Sequence, residues 1–170
     1  MTGSPLSTLR VLVGAVGTAP VLIVVAIWFV LGDTVRDPLP WPYLGVVVGL
    51  GVVIAMVVSR VGYRVAPLPR RTPRAEAELR SRTAFQSRLF LRLAAGEIPL
   101  LVALVLAFVT PTGGFAVVLI GAGMAVNLIF TYAWPSERSI ARTAEALESA
   151  GARSHLRESL DLPQARRTLR

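Results

Sequence analysis

A chain of 170 residues that is 54% hydrophobic, 16% charged and without cysteine carries too much apolar surface for a soluble domain of its size and is read as one small integral membrane unit. Without cysteine, disulfides, thiol catalysis and thiolate metal sites are excluded. All 18 Lys or Arg positions are arginine, for a net charge of +8; their uneven spread points to a topological signal, and nucleic acid is not an expected partner.

After a short polar lead, residues 10–31 form the first expected span, about the 20 apolar residues that cross a hydrocarbon core. The apolar run continues past Pro20, so an uncleaved helix is expected rather than a signal peptide, with Gly14, Gly17 and Pro20 marking a kink that a neighbouring helix can accommodate. Residues 32–40 are rich in turn formers. The second span, 41–60, opens on Trp41 and Tyr43, rings that favour headgroup level. Gly45 and Gly49 make a GxxxG there with Gly51 close behind, a spacing that lets two helix backbones approach, whether the partner is in this chain or in a second copy.

Residues 61–88 form a basic connector. Pro67, Pro69 and Pro73 interrupt regular structure, then Thr72 as N-cap and Pro73 at the first helical position start a helix in which Glu76 with Arg80 and Glu78 with Arg82 are favourable i,i+4 pairs. Ala75, Leu79, Phe85 and Leu89 are expected along its interface. Two readings stand for this helix: a solvated connector, or an amphipathic helix lying on the lipid bilayer, with Arg70, Arg71, Arg74, Arg80 and Arg82 on anionic headgroups. The third span is 89–110. A TPTGG turn leads to the fourth, 115–134, where Gly121 and Gly123 are further packing candidates. Residues 135–170 are expected as a helical, partly disordered basic tail, its helix carrying Ile140, Ala144 and Leu147 on one side and ending near Gly151.

Nine arginines lie between Arg60 and Arg92, whereas the first connection holds only Arg36 and the third none. The positive-inside rule therefore places the connector and both termini in the cytoplasm. The expected fold class is all-α integral membrane: four transmembrane helices as two tandem helical hairpins, with a cytoplasmic connector helix and a C-terminal cytoplasmic helix, multi-pass in a bacterial inner membrane.

Glu97 is the main functional lead. It lies roughly 10 Å inside the start of the third span at 1.5 Å per residue, where a carboxylate is protonated, paired or turned to a polar cavity. Two segments repeat around it: GTAPVLIVVAIWFV (17–30) lies on GEIPLLVALVLAFV (96–109), sharing the glycine and the proline three residues on, and 48–58 lies on 120–130. This implies parallel repeats related by an axis along the membrane normal. Thr18 stands where Glu97 stands and Ala55 where Asn127 stands, so only the second hairpin carries the polar pair. A turn centred near residue 112 sets Glu97 level with Asn127 and Arg92 level with Tyr132, giving a candidate proton or ion site of Glu97, Asn127, Arg92 and Tyr132.

The stretch AAGEIPLLVALVLAFV, 94–109, resembles the carboxylate helix of the ring-forming proteolipids of rotary ATP synthases, where an acid is followed two places later by proline in a Leu/Val/Ala/Phe run. GVVVGLG (45–51), the polar connector and Glu97 follow the same order as that family's glycine-rich helix, polar loop and carboxylate helix. The resemblance implies a proton or cation site at Glu97. The connector is longer than the family's short turn, Arg92 precedes the acid by five residues, and two further spans and a basic tail flank the matching part. The whole chain is also similar to small four-span membrane proteins of GC-rich bacteria that carry this Arg, Glu-x-Pro pattern in the third span.

No Ser/His/Asp, paired-carboxylate or HExxH constellation occurs in the sequence, so no enzyme activity and no cofactor are expected. His155 is expected to be solvated and no metal site is expected. Two functions follow. One is a structural protein that oligomerises or holds a membrane-protein partner through glycine faces, with Glu97 locked to Asn127 or Arg92. The other is a transporter-like or rotor-like subunit that binds a proton or cation at Glu97.

Overall fold

In hydrocarbon every backbone N–H and C=O must be satisfied within the protein, and a long apolar run achieves this as a helix. The computed structural model describes residues 5–160, which are all-helical apart from turns and loops. Helix α1 is Pro5–Leu31 and continues into a 3-10 turn, Gly32–Arg36; α2 is Trp41–Val61 and α3 is Arg74–Val109. Helix α4, Gly114–Leu128, runs on into a π turn, Ile129–Ala133, and α5, Glu137–Glu148, and the short α6, Leu156–Ser159, complete the chain order. Helices α1, α2 and α3, and α4 together with its π turn, are long and apolar enough to cross a membrane. Residues 161–170, part of the expected basic tail, lie outside the described residues.

The connector helix and the third span, expected as separate elements meeting near residue 89, are one helix of 36 residues. The breakers Pro67, Pro69 and Pro73 all precede Arg74, and strong helix formers fill most of the positions between Arg74 and Leu93. Pro73 itself is the N-cap, while the Thr72 hydroxyl donates back to the Pro69 carbonyl at 2.8 Å. Arg80 pairs with Glu76 at 2.6 Å as expected, but Glu78 turns to Arg74 at 2.8 Å rather than to Arg82. At 1.5 Å per residue α3 is about 54 Å long, well beyond the roughly 30 Å of a hydrocarbon core, so its polar first turns project from the bundle.

That projecting part anchors a small head. Ala77, Ser81, Phe85 and Leu89 point inward from α3, whereas Ala75 and Leu79, expected on the same face, point outward, Leu79 with 67% of its surface exposed. Against them pack Ile140 and Leu147 of α5, Leu156 of α6, Leu68 of the connector, and Leu6, Leu9 and Val13 from the start of α1. Ser136 caps α5 by accepting from the Ser139 N–H at 3.3 Å, and the Leu68 N–H donates to the Leu147 carbonyl at 2.9 Å. The start of α1, the connector and α5 therefore gather at one end of the bundle.

Within the bundle, α3 and α4 pack along their length, α1 lies on α4, and α2 lies on α3 and α4, while α1 and α2 are splayed apart. The first expected hairpin is thus not a packed pair. Its connection instead crosses the start of α4: the Asp37 carboxylate accepts from the Gly113 N–H and the Thr34 hydroxyl oxygen from the Phe115 N–H, each at 3.1 Å. These bonds satisfy donors that a helix start leaves open. Gly113 has φ +67, a left-handed turn that glycine makes without steric cost.

Candidate functional site

The four expected site residues come from α3 and α4, and glycines set how closely these helices meet. A Cβ added at Gly121 would collide with the Ala103 Cβ and lie 3.0 Å from the Pro99 carbonyl oxygen, and one at Gly96 would lie 2.9 Å from Ile129. Levels along the two helices therefore match the turn-centred register. Gly17 faces the same place, its absent Cβ 3.0 Å from the Phe130 ring and 3.4 Å from Ile129. The glycines of both Gly-x-x-Pro copies thus close on the π turn of α4, and Pro20 and Pro99 are both buried. A π turn changes the angular phase of the helix that carries it.

The rotation of α4 separates the expected polar pair. Ile129 faces Gly96, and Asn127, two residues earlier and about 200° away at 100° per residue, is exposed. Its amide oxygen accepts from the Thr131 hydroxyl at 3.0 Å within its own helix. Glu97 is half-buried and makes no hydrogen bond or ion pair among the described residues. Arg92 does not reach it either, because five residues along one helix turn the two side chains roughly 140° apart. The lock of Glu97 to Asn127 or Arg92 is therefore not made within the chain.

Arg92 belongs to a different group. It is 1% exposed; its Nε donates to the Arg88 carbonyl at 3.1 Å, its guanidinium lies 4.4 Å from the centre of the Tyr63 ring, and its two terminal nitrogens are buried without hydrogen-bond partners among the described residues. Its stem runs over Gly62, where a Cβ would come within 3.1 Å of Cγ. The Tyr63 hydroxyl donates to the Tyr132 carbonyl at 3.4 Å. Tyr132 thus enters through its backbone, and its half-buried ring packs with Ile54, Val58 and Leu128. Tyr63, not a candidate from the sequence alone, joins Arg92 to Tyr132. Its signal was an aromatic residue just past the end of a span, where rings favour the interface.

The packing glycines divide into two sets. Gly51 is met by the Met124 side chain and Gly121 by α3, while Gly45, Gly49 and Gly123 have nothing within 4 Å. The expected headgroup arginines divide as well. Arg70 donates to the Ala150 carbonyl at 2.9 Å, Arg74 bridges Glu78 and Glu158 at 2.8 and 2.9 Å, and Arg80 holds Glu76. Arg71 and Arg82 are exposed and without an ion pair among the described residues.

His155, expected in solvent, has a side chain only 18% exposed, with Nδ1 3.0 Å from Glu158. Together with Glu78 these residues place three possible ligand atoms within 4.8 Å of one another, but the Arg74 guanidinium already bridges the two carboxylates. The cluster is an ion-pair network joining α3 to α6.

No protein-family model, curated protein or solved structure matches this chain.

Proposed function

We propose that this protein is a structural component of a bacterial cytoplasmic membrane that assembles through the outer face of α2. The carrying observation is the contrast among its glycines: Gly51 and Gly121 are filled from within, whereas Gly45 and Gly49, one turn apart, are open. Small residues at that spacing give a second helix a close approach, which drives association where apolar burial gives no advantage over lipid. Both termini lie in the cytoplasm in this reading, supported by the nine arginines between Arg60 and Arg92 against Arg36 in the first connection. The chain contains no cysteine, so one introduced at Val52, exposed one helical turn beyond Gly49, reports directly on contact between copies. Oxidative cross-linking from Val52→Cys in native membranes is expected, with its loss when Gly49→Ile is added; cross-linking indifferent to Gly49, or none at all, overturns self-assembly through this face.

A second reading, a proton- or cation-binding subunit of transporter-like or rotor-like kind, is favoured by the Glu97 carboxylate, which has no partner among the described residues at a level where charge is costly. Its expected signature is proton uptake by vesicles carrying the wild-type chain and none with Glu97→Gln.

A further inference from the structure

Where α2 ends, Tyr63 forms the floor of an open cleft of about 690 Å³ lined by Arg60, Arg64, Arg142 and Glu145, among others. A second depression of about 300 Å³, reaching Tyr132, Ser136 and Arg138, adjoins it and shares Ser59, Tyr63 and Arg142. Four arginines thus face one glutamate. None of these five side chains makes an ion pair among the described residues, in contrast with Arg74 and Arg80, which hold carboxylates of the chain.

Beneath the floor the positive charge continues. Arg92 lies 4.4 Å from the Tyr63 ring centre and Arg142 5.3 Å from it, so two cations share one ring while repelling each other. Among the described residues the Arg92 terminal nitrogens are buried without hydrogen-bond partners, and a buried charge without a counter-charge is strongly unfavourable. An anion in the cleft above Tyr63 supplies a counter-charge to both cations. The level is also informative: Val57 and Val61 of α2 and Phe130 on the π turn that continues α4 are exposed apolar residues, and the arginines begin where that apolar surface stops.

We infer that the Tyr63 cleft binds a phosphate-bearing anion, with the headgroup of an anionic lipid as its source at this level. Arg60, Arg64, Arg138 and Arg142 present guanidinium forks suited to phosphate oxygens. The Ser136 hydroxyl, whose oxygen accepts from Ser139, keeps its own hydrogen to donate. The headgroup arginines expected from the sequence are then not the principal lipid site, because Arg70, Arg74 and Arg80 are engaged within the chain.

The test is calorimetric titration of the full-length chain in neutral detergent with dioctanoyl phosphatidylglycerol, dioctanoyl phosphatidylcholine and inorganic phosphate. Two double variants remove the same charge from different places, Arg64→Gln with Arg142→Gln in the cleft and Arg71→Gln with Arg82→Gln on the connector. All four side chains are exposed, so both variants are expected to keep the fold, checked by an unchanged thermal midpoint. Phosphatidylglycerol is expected to bind the wild type in preference to phosphatidylcholine and to weaken at least about tenfold in the cleft variant but much less in the connector variant. Inorganic phosphate binding as tightly as phosphatidylglycerol, with the same dependence on Arg64 and Arg142, supports the site and assigns it to a soluble phosphate. Equal binding of the two lipids together with no phosphate binding, or equal losses in the two variants, overturns the site.

Discussion

In the bundle, the closest approaches between helices fall at small residues, Gly96 on Ile129 and Gly121 on Ala103, and many large apolar residues, such as Val25, Phe29 and Val105, face outward. In the head the arrangement is reversed: Phe85, Leu89, Ile140, Leu147 and Leu156 are buried together, and arginines and glutamates form much of the surface of α3 and α5. With the bundle in a membrane and the head outside it, as proposed above, water explains the difference. It drives large side chains into the head, where burial stabilises by about 25 cal/mol per Å² of apolar surface. Lipid offers no such drive, so the bundle is held by close approach. Arg92 sits at the seam and belongs to neither scheme, a charge buried among residues chosen for their shape.

Three substitutions sharpen this contrast. The largest effect is expected from Phe85→Ala, which removes a fully buried ring from the head and costs about 3–5 kcal/mol. Hydrogen exchange should speed up in α5 and α6 while α4 stays protected, and faster exchange across all the helices would show that head and bundle unfold as one unit. A middle effect is expected from Gly121→Leu, which forces α3 and α4 apart and costs about 1–3 kcal/mol, read as a lower thermal midpoint in detergent. Gly123→Leu, with nothing within 4 Å, is the matched control; a comparable drop there would contradict the distinction between filled and open glycines. The smallest falls on Glu97→Gln, expected to change unfolding by less than about 0.5 kcal/mol, because the carboxylate has no partner among the described residues. A loss above about 1 kcal/mol would reveal an interaction formed in the folded protein in detergent.

Much of this architecture was legible in the sequence. The four apolar runs, the breakers before Arg74, the turn at TPTGG and the inward pair Phe85 and Leu89 all follow from properties of residues or of short windows. The repeated Gly-x-x-Pro was legible too, and its glycines converge on one turn of α4. The polar stripe was only half legible: matching depths along α3 and α4 followed from the position of the turn, but not which side of each helix faces the other. Arg92 was recognised as unusual in the sequence, yet its partner Tyr63 lies on the far side of a proline-rich connector. Arg142, the second cation on the Tyr63 ring, comes from the expected tail and left no signal of this contact.

The sequence by itself determined where the chain is apolar, where prolines and turns break its helices, and where positive charge accumulates, because solvation and backbone restriction act residue by residue along the chain. Tertiary structure decided the rotation of each helix: Ile129 toward Gly96 and Asn127 away from it, Gly51 filled and Gly49 open, Arg92 under Tyr63 rather than beside Glu97. In a span that is apolar on every side, no contrast between polar and apolar faces specifies rotation; it is fixed by which small residues allow neighbouring backbones to approach, and that becomes defined only when the helices are packed together.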